Sequence, residues 1–199
     1  MLNAAAPGRD GSRYPARPPL NTSYPATDRT CDMSWTLKIA YREPISFVRF
    51  TDDCRRLLGR LLDWRLVPPL EPQSSPGYPW TKEPPAALGP DVDTWLLGLR
   101  GVSASIDVGV DRSDDGTGDY WVDLAFGARP MSYALFIAAA AVLAELNDAP
   151  VRDDAKAFSD HFELPAAQFI EAVAACGGTE NLPGRMAQAK QLAAATAAG

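Results

Sequence analysis

The segment from Pro130 to about Asn147 constrains the fold more than any other part of this chain. Proline suits the first turn of a helix, and the apolar residues after it fall on every side of such a helix: Met131, Tyr133, Leu135, Phe136, Ile137, Val142 and Leu143. A helix with almost no polar face has to be covered all round. Its apolar run, Tyr133 to Ala144, is shorter than the roughly 20 residues that cross a bilayer. The sequence therefore predicts one fully buried core helix near 130–147.

Two earlier segments have the periodicity of regular structure. Trp35 to Arg42 alternates between apolar and polar side chains, which predicts a half-buried strand. From Pro44 onward the apolar residues recur at helical spacing, which predicts a helix from about 45 to 63 with Pro44 in its first turn. Alternatively, Thr51 and the two aspartates after it cap a shorter helix and leave 45–50 extended.

The middle of the chain is rich in proline and then in strand patterns. The eight prolines between Val67 and Pro90 predict a long, stiffened loop, in which Tyr78 and Trp80 are embedded. Alternating segments follow, and the last two of them are expected to form a hairpin around a turn-rich loop: 93–99, 102–110 and 120–126.

The C-terminal part has two further helical patterns. One helix begins near Pro165 and ends at the glycine pair 177–178, which suits a left-handed C-cap. The order of these elements predicts an α+β fold, a single domain with a mainly antiparallel sheet packed against helices. We place this domain at 33–178. Residues 1–32, which lack apolar periodicity, form a disordered tail, and 179–199 form an alanine-rich helix that is expected to fray.

Composition limits the compartment and the class of partner. The 199 residues carry a formal charge of −6, with a pI of about 4.8. This acidity is not the footprint of a nucleic-acid binder and favours a basic partner. The three cysteines are too widely spaced for a disulfide framework or a metal knuckle. The first ten residues lack the apolar core of a secretory signal. We therefore expect a cytoplasmic protein with no membrane and no nucleic-acid partner.

The motifs of common enzyme classes are missing. The sequence has no nucleophile elbow, no phosphate loop and no dinucleotide fingerprint. His161 is the single histidine, and it begins a His-x-Glu pattern like half of a zinc deaminase site, but the Pro-Cys-x-x-Cys half is absent. We therefore expect a protein that is not an enzyme and needs no cofactor.

The loop from Asp111 to Asp119 partly matches a calcium-binding loop. Position twelve of that pattern should be a bidentate acidic ligand, but Val122 stands there. The flanking segments are also predicted strands, where the calcium motif needs helices. The sequence therefore predicts a polar hairpin loop and no metal site.

The predicted hairpin places acidic residues and a tryptophan on its outer face. If Val110 pairs with Tyr120, Asp107 lies opposite Asp123 and Gly109 lies opposite Trp121. Two like charges in such a pair are destabilising unless a cation lies beside them.

Two explanations of this acidic pair remain open. In the first, Lys38 and Arg42 of the first strand neutralise the pair within the sheet, and Trp121 merely covers Gly109. In the second, the outer face is an acidic surface with an aromatic anchor for a basic partner. That surface comprises Asp107, Asp111, Asp114, Asp115, Asp119, Trp121 and Asp123.

The proline-rich loop is a second candidate surface. Prolines hold Tyr78 and Trp80 with little freedom left to lose on binding, which favours a contact with a partner. Alternatively, the two rings pack over an edge of the sheet.

The combination of these features resembles the immunity proteins of bacterial polymorphic-toxin and contact-dependent competition systems. It rests on the strand Trp35 to Arg42, the helix to Leu62, the strands from Asp93 to Phe126 and the helix from Pro130. The resemblance implies a protein that binds and neutralises a cognate toxin acting in the cytoplasm. The alternatives are an adaptor or chaperone for a secreted effector, or a small enzyme with a carboxylate-based site such as Asp107 with Asp123.

The predicted tail leads to a test of stability. We expect a chain that starts at Met33 to unfold at the same temperature as the full chain, because residues 1–32 offer no apolar periodicity with which to pack. Thermal unfolding followed by circular dichroism measures the difference. A midpoint lowered by more than a few degrees in the shorter chain would mean that the leader packs on the domain.

Overall fold

A computed structural model describes residues 35–73, 84–90, 94–111, 118–124, 129–154, 161–174 and 182–197. Within these residues the helices are α1 (Phe47–Leu62), α2 (Pro130–Asn147), α3 (Ala166–Ala174) and α4 (Leu182–Ala197). The strands are β1 (Trp35–Ala40), β2 (Ile45–Ser46), β3 (Leu70–Pro72), β4 (Ala87–Leu88), β5 (Trp95–Leu99), β6 (Ser105–Val110), β7 (Asp119–Leu124), β8 (Val151–Arg152) and β9 (Glu163–Leu164). The predicted α+β fold is confirmed.

Most strands belong to a single antiparallel sheet. Its seven strands follow the order β3-β5-β6-β7-β1-β8-β9, and β2 pairs with β4 in a small separate ladder. The N-terminal strand β1 lies between β7 and β8, so it joins the hairpin to the short strands that follow α2. Because β1 is an interior strand, both of its edges are hydrogen-bonded.

The alternation predicted for the first strand is confirmed, although the strand is shorter than predicted. Trp35, Leu37 and Ile39 are buried, while the residues between them are partly exposed. The predicted strand extended to Arg42, but β1 ends at Ala40. The backbone N–H of Arg42 turns away from the sheet and bonds the side-chain oxygen of Asn147, 3.3 Å away at the end of α2.

The start of α1 differs from both predicted alternatives. Ile45–Ser46 forms the short strand β2, and the helix begins at Phe47. The hydroxyl of Ser46 accepts a hydrogen bond from the backbone N–H of Arg49 at 3.4 Å, so Ser46 is the N-cap. Thr51 lies inside the helix, where its hydroxyl donates to the Val48 carbonyl at 3.1 Å. Both predicted starts of the helix, with Pro44 in its first turn or with a cap at Thr51, are therefore wrong.

The predicted proline-rich loop contains two short strands. Leu70–Pro72 pairs with Leu97–Leu99 of β5, and Ala87–Leu88 pairs with Ile45–Ser46. Proline is tolerated in β3 because this strand is the edge of the sheet. The part of the loop that contains Tyr78 and Trp80 lies outside the described residues.

The register predicted for the hairpin is confirmed. Val110 pairs with Tyr120, Val108 with Val122, Gly109 with Trp121 and Asp107 with Asp123. Of the two strands, β6 is shorter than predicted: it begins at Ser105 because the chain turns before it, at Gly101, whose φ of 72° lies in the left-handed region. The predicted end of the second strand, 125–126, lies outside the described residues.

Helix α2 has the burial that its sequence predicts. Its residues from Met131 to Ala144 are all buried, and α2 contacts β1, β6, β7 and the other helices. By length and composition alone, this helix could also cross a membrane, yet 83% of the apolar window is covered by the rest of the structure. A soluble core helix passes the same test of length and composition, so the helix is explained by the core that surrounds it.

The last two helices complete the cover of α2. Helix α3 spans 166–174. The glycine pair that is expected to end it lies outside the described residues. Helix α4 contacts α2, and its Ala189 and Ala193 are fully buried. The expected division into a tail at 1–32, a domain at 33–178 and a fraying helix at 179–199 stays a prediction.

The alanine run of α2 leads to a test of packing. We expect Ala140→Leu to lower the free energy of unfolding by about 1–3 kcal/mol, because Ala140 is fully buried and a larger side chain must displace close-packed neighbours. The same change at the exposed Ala195 of α4 is the control and should stay within about 0.5 kcal/mol. Urea denaturation measures both. Equal effects would mean that α2 is not closely packed.

Candidate functional site

The four described helices lie on one face of the sheet. Helix α2 packs on β1, β6 and β7, and α1, α3 and α4 all contact α2. The side chains on the helical face are fully buried, as Leu37, Val108 and Val122 show. We call the opposite face the open face, because no helix of the described chain covers it. The outward side chains of the predicted hairpin lie on this face.

Trp121 lies in a row of side chains that crosses the open face. In β7 it pairs with Gly109 of β6 on one side and with Lys38 of β1 on the other. The row continues to Arg152 of β8 and Glu163 of β9. This row therefore combines an aromatic ring with charges of both signs.

The indole of Trp121 rests on Gly109. A Cβ added to Gly109 would come within 2.6 Å of the Cζ2 atom of Trp121, so the ring occupies the space that any other residue would fill. Gly109 is buried beneath the ring, and Trp121 itself is half-buried. The hypothesis that Trp121 covers Gly109 is therefore correct. The indole lies against the sheet at its Cζ2, Cε2 and Nε1 atoms, which restricts the ring on the open face.

Two cations lie among the carboxylates of the open face. Lys38 contacts Asp111, with Nζ 3.7 Å from the carboxylate. Arg152 contacts Asp119 at 2.9 Å and Glu163 at 3.7 Å. The guanidinium of Arg152 also lies over the ring of Phe162, 5.7 Å from its centre. Asp111 and Asp119, two of the predicted site residues, are therefore held by ion pairs within the protein.

The predicted neutralisation by Lys38 and Arg42 needs a correction. Lys38 does face the open side, where its described ion pair is with Asp111. Arg42 lies beyond the end of β1 and pairs with Asp148, 3.4 Å away after the last turn of α2. Arg42 is therefore not on the outward face of the strand.

The other predicted acidic residues are placed only in part. Asp107 is half-buried on the open face, and its Cα lies opposite that of Asp123. The side chain of Asp123 and the loop residues Asp114 and Asp115 lie outside what the structure describes. On the open face from β6 to β9, the described charged side chains include two cations and four carboxylates: Lys38, Arg152, Asp107, Asp111, Asp119 and Glu163. The local formal charge of this set is −2.

The edge of the open face at β5 and β3 adds no net charge. Arg100 donates two hydrogen bonds to one oxygen of Glu71, at 2.9 and 2.6 Å. These bonds from Arg100 lower the pKa of the Glu71 carboxyl below its ordinary value. The acidic character of the open face is therefore concentrated near Trp121.

Most of the calcium-like loop, 112–117, lies outside the described residues, so the absence of a metal site there stays a prediction. Val122, at position twelve of the calcium-like pattern, is fully buried in β7, so its side chain belongs to the core. No cluster of three or more histidine, cysteine or acidic side chains suited to a metal occurs in the described part of the chain.

A second surface, on the outer side of α1, was missed by the sequence analysis. A cleft of about 860 Å³ lies between α1 and the segment 63–67 that follows it, and we call it the arginine cleft. Its charged lining is Arg49, Arg55, Arg56, Arg60, Arg65, Asp52, Asp53 and Asp63. The signal in the sequence was the local excess of arginine over 49–65, which the net charge of −6 conceals.

The contact between Trp121 and Gly109 leads to a double-mutant test. We expect Gly109→Ala to cost about 1–3 kcal/mol of stability, and to cost at least about 1 kcal/mol less when Trp121 is already alanine, because the clash is then gone. The control is Gly98→Ala, whose neighbour is the side chain of Gln73, and its cost should not depend on Trp121. Urea denaturation of the six proteins measures both. Additive effects of Gly109→Ala and Trp121→Ala would contradict the contact.

Comparison with known proteins assigns the chain to no family. No family model matches the chain, no curated protein matches it, and no solved structure matches it.

Proposed function

We propose that this chain is an immunity protein that binds a cognate, cytoplasm-acting toxin through the open face and so neutralises it. The observation that carries the proposal is the position of Trp121: half-buried on Gly109, in the middle of a sheet face that no described helix covers, with carboxylates around it. Tryptophan is enriched in protein interface hot spots, and complementary charge near it helps to select the partner.

The contact of its indole with Gly109 favours Trp121 as an anchor residue. A side chain that is already held loses little conformational entropy when a partner covers it. Part of the ring already lies against Gly109, so a partner has to cover only the remaining surface.

The charges around Trp121 favour a basic partner. Four described carboxylates accompany two cations there, and Asp111 and Asp119 form ion pairs with Lys38 and Arg152. Paired carboxylates can still accept hydrogen bonds from a partner's arginine or lysine, since each has several lone-pair sites. Complementary charge mainly raises the association rate and selects the partner.

The face also has an apolar border. Phe162 is 43% exposed and lies under the guanidinium of Arg152, at the β9 end of the row that contains Trp121. Arginine and aromatic side chains are enriched in interfaces. Phe162 thus adds an exposed aromatic side chain beside Arg152, at the end of the row that contains Trp121.

The proposal is tested by binding kinetics with the protein encoded by the neighbouring reading frame. We expect Trp121→Ala to raise the dissociation rate at least tenfold, because truncation of a central aromatic typically costs 2 kcal/mol or more. We expect Asp107→Asn with Asp123→Asn to slow association mainly at low salt, because these charges steer the encounter.

The control carries the same two charge changes elsewhere. Asp148→Asn with Glu171→Gln alters exposed carboxylates away from both the open face and α1 and should leave both rates unchanged. Each variant is first compared with the wild type by thermal unfolding. If the neighbour binds and all variants keep the wild-type rates, the interface lies elsewhere, with Tyr78 and Trp80 the next residues to replace. If the neighbour does not bind the wild type, the immunity proposal fails for this pair.

A further inference from the structure

The arginine cleft is built by a loop that folds back on α1. Asp63 adopts the left-handed conformation, with φ of 53°, and ends the helix. The side chain of Arg55 then donates to the carbonyls of Pro68 and Val67, at 3.1 and 3.0 Å. Trp64 is buried and anchors the loop in the core. The segment 64–67 forms one wall of the cleft. Hydrogen bonds from the Arg55 side chain to backbone carbonyls and the burial of Trp64 therefore hold this wall in place.

The aspartates of the cleft are already paired. Asp53 contacts both Arg49 and Arg56, and Asp52 contacts Arg55 at 3.6 Å. Asp63 contacts Lys190 of α4 at 3.7 Å. These pairs use three of the five arginines and all three aspartates of the lining.

Two arginines of the cleft remain available to a ligand. Among the described residues, neither Arg60 nor Arg65 has a carboxylate partner, and both side chains are exposed. The lining also includes Leu66, the residue after Arg65, which is 81% exposed although it is a large apolar side chain. An exposed leucine in the same cleft as two guanidinium groups without carboxylate partners indicates a ligand with both acidic and apolar groups.

We propose that the arginine cleft binds an acidic segment of a partner protein, in which carboxylates meet Arg60 and Arg65 and an apolar side chain covers Leu66. Guanidinium groups bind carboxylates through two parallel hydrogen bonds, which orients the segment. The proposal does not depend on the open face, because α1 lies in the helical layer, on the other side of the sheet. The chain would then have two binding surfaces of opposite charge.

A protein segment fits this cleft better than a nucleic acid. The whole chain has a charge of −6, so a polyanion would be repelled at long range. A short acidic segment carries fewer charges and gains from Leu66, whereas a phosphate backbone gains nothing from an exposed leucine. The described lining also lacks an exposed aromatic ring for base stacking, since its Trp64 is buried.

The experiment uses the full chain and fluorescein-labelled synthetic peptides. In one peptide glutamate alternates with leucine, in a second glutamate alternates with glycine, and in a third glutamine replaces glutamate in the first. A single-stranded oligothymidine of the same charge is the fourth probe. We expect saturable anisotropy changes with the glutamate–leucine peptide, weaker binding of the glycine peptide, and none with the glutamine peptide.

The variants assign this binding to the cleft. Arg60→Gln with Arg65→Gln should raise the Kd of the glutamate–leucine peptide at least tenfold, and Leu66→Ala should raise it several-fold. The control is Arg42→Gln with Arg129→Gln, which removes the same charge from exposed arginines outside the cleft and should leave the Kd unchanged. All changed side chains are exposed, and thermal unfolding verifies that the variants fold.

Three outcomes would overturn the proposal. The first is that no peptide binds the wild type. The second is tighter binding of the oligothymidine, which would make the cleft a nucleic-acid site. The third is an equal loss of affinity in the two double-arginine variants, which would mean that the peptide responds to overall charge.

Discussion

The covering of α2 on every side is the constraint on which the rest of the structure depends. Its residues from Met131 to Ala144 are buried, and a sheet alone covers only one side of a helix. Helices α1, α3 and α4 therefore have to pack around the remaining sides. The four consecutive alanines from 138 to 141 allow these neighbours to approach closely, since each lacks a side chain beyond Cβ. All of this packing takes place on one side of the sheet.

The open face follows from this arrangement. Once the helices lie on one side, each strand needs apolar residues at alternate positions, and the outward positions are free for other uses. Trp121 occupies one of them, and a glycine at 109 provides its seat. Lys38 and Arg152 form ion pairs with carboxylates of the same face. A polar, charged face is therefore compatible with a core that depends on the opposite side.

The sequence predicted those features that depend on periodicity over short distances. The alternation in β1, the buried helix and the hairpin register required only neighbouring residues, and all three were found. The start of α1 was missed because Ser46, which caps the helix, competes locally with Pro44 and Thr51 as an N-terminal signal. The short strands of the proline-rich segment were missed because their partners lie far along the chain.

The arginine cleft shows why net charge is a poor guide to a binding surface. A formal charge of −6 is a sum over the chain, whereas a partner meets only the groups on one surface. The segment after α1 forms the second wall of the cleft because Arg55 donates hydrogen bonds to the carbonyls of Val67 and Pro68 and because Trp64 is buried. The aspartates of the same segment already form ion pairs, and one of them pairs with Lys190 of α4, far along the chain. Tertiary structure thus decides which charges remain available, and here it leaves Arg60 and Arg65 on an acidic protein.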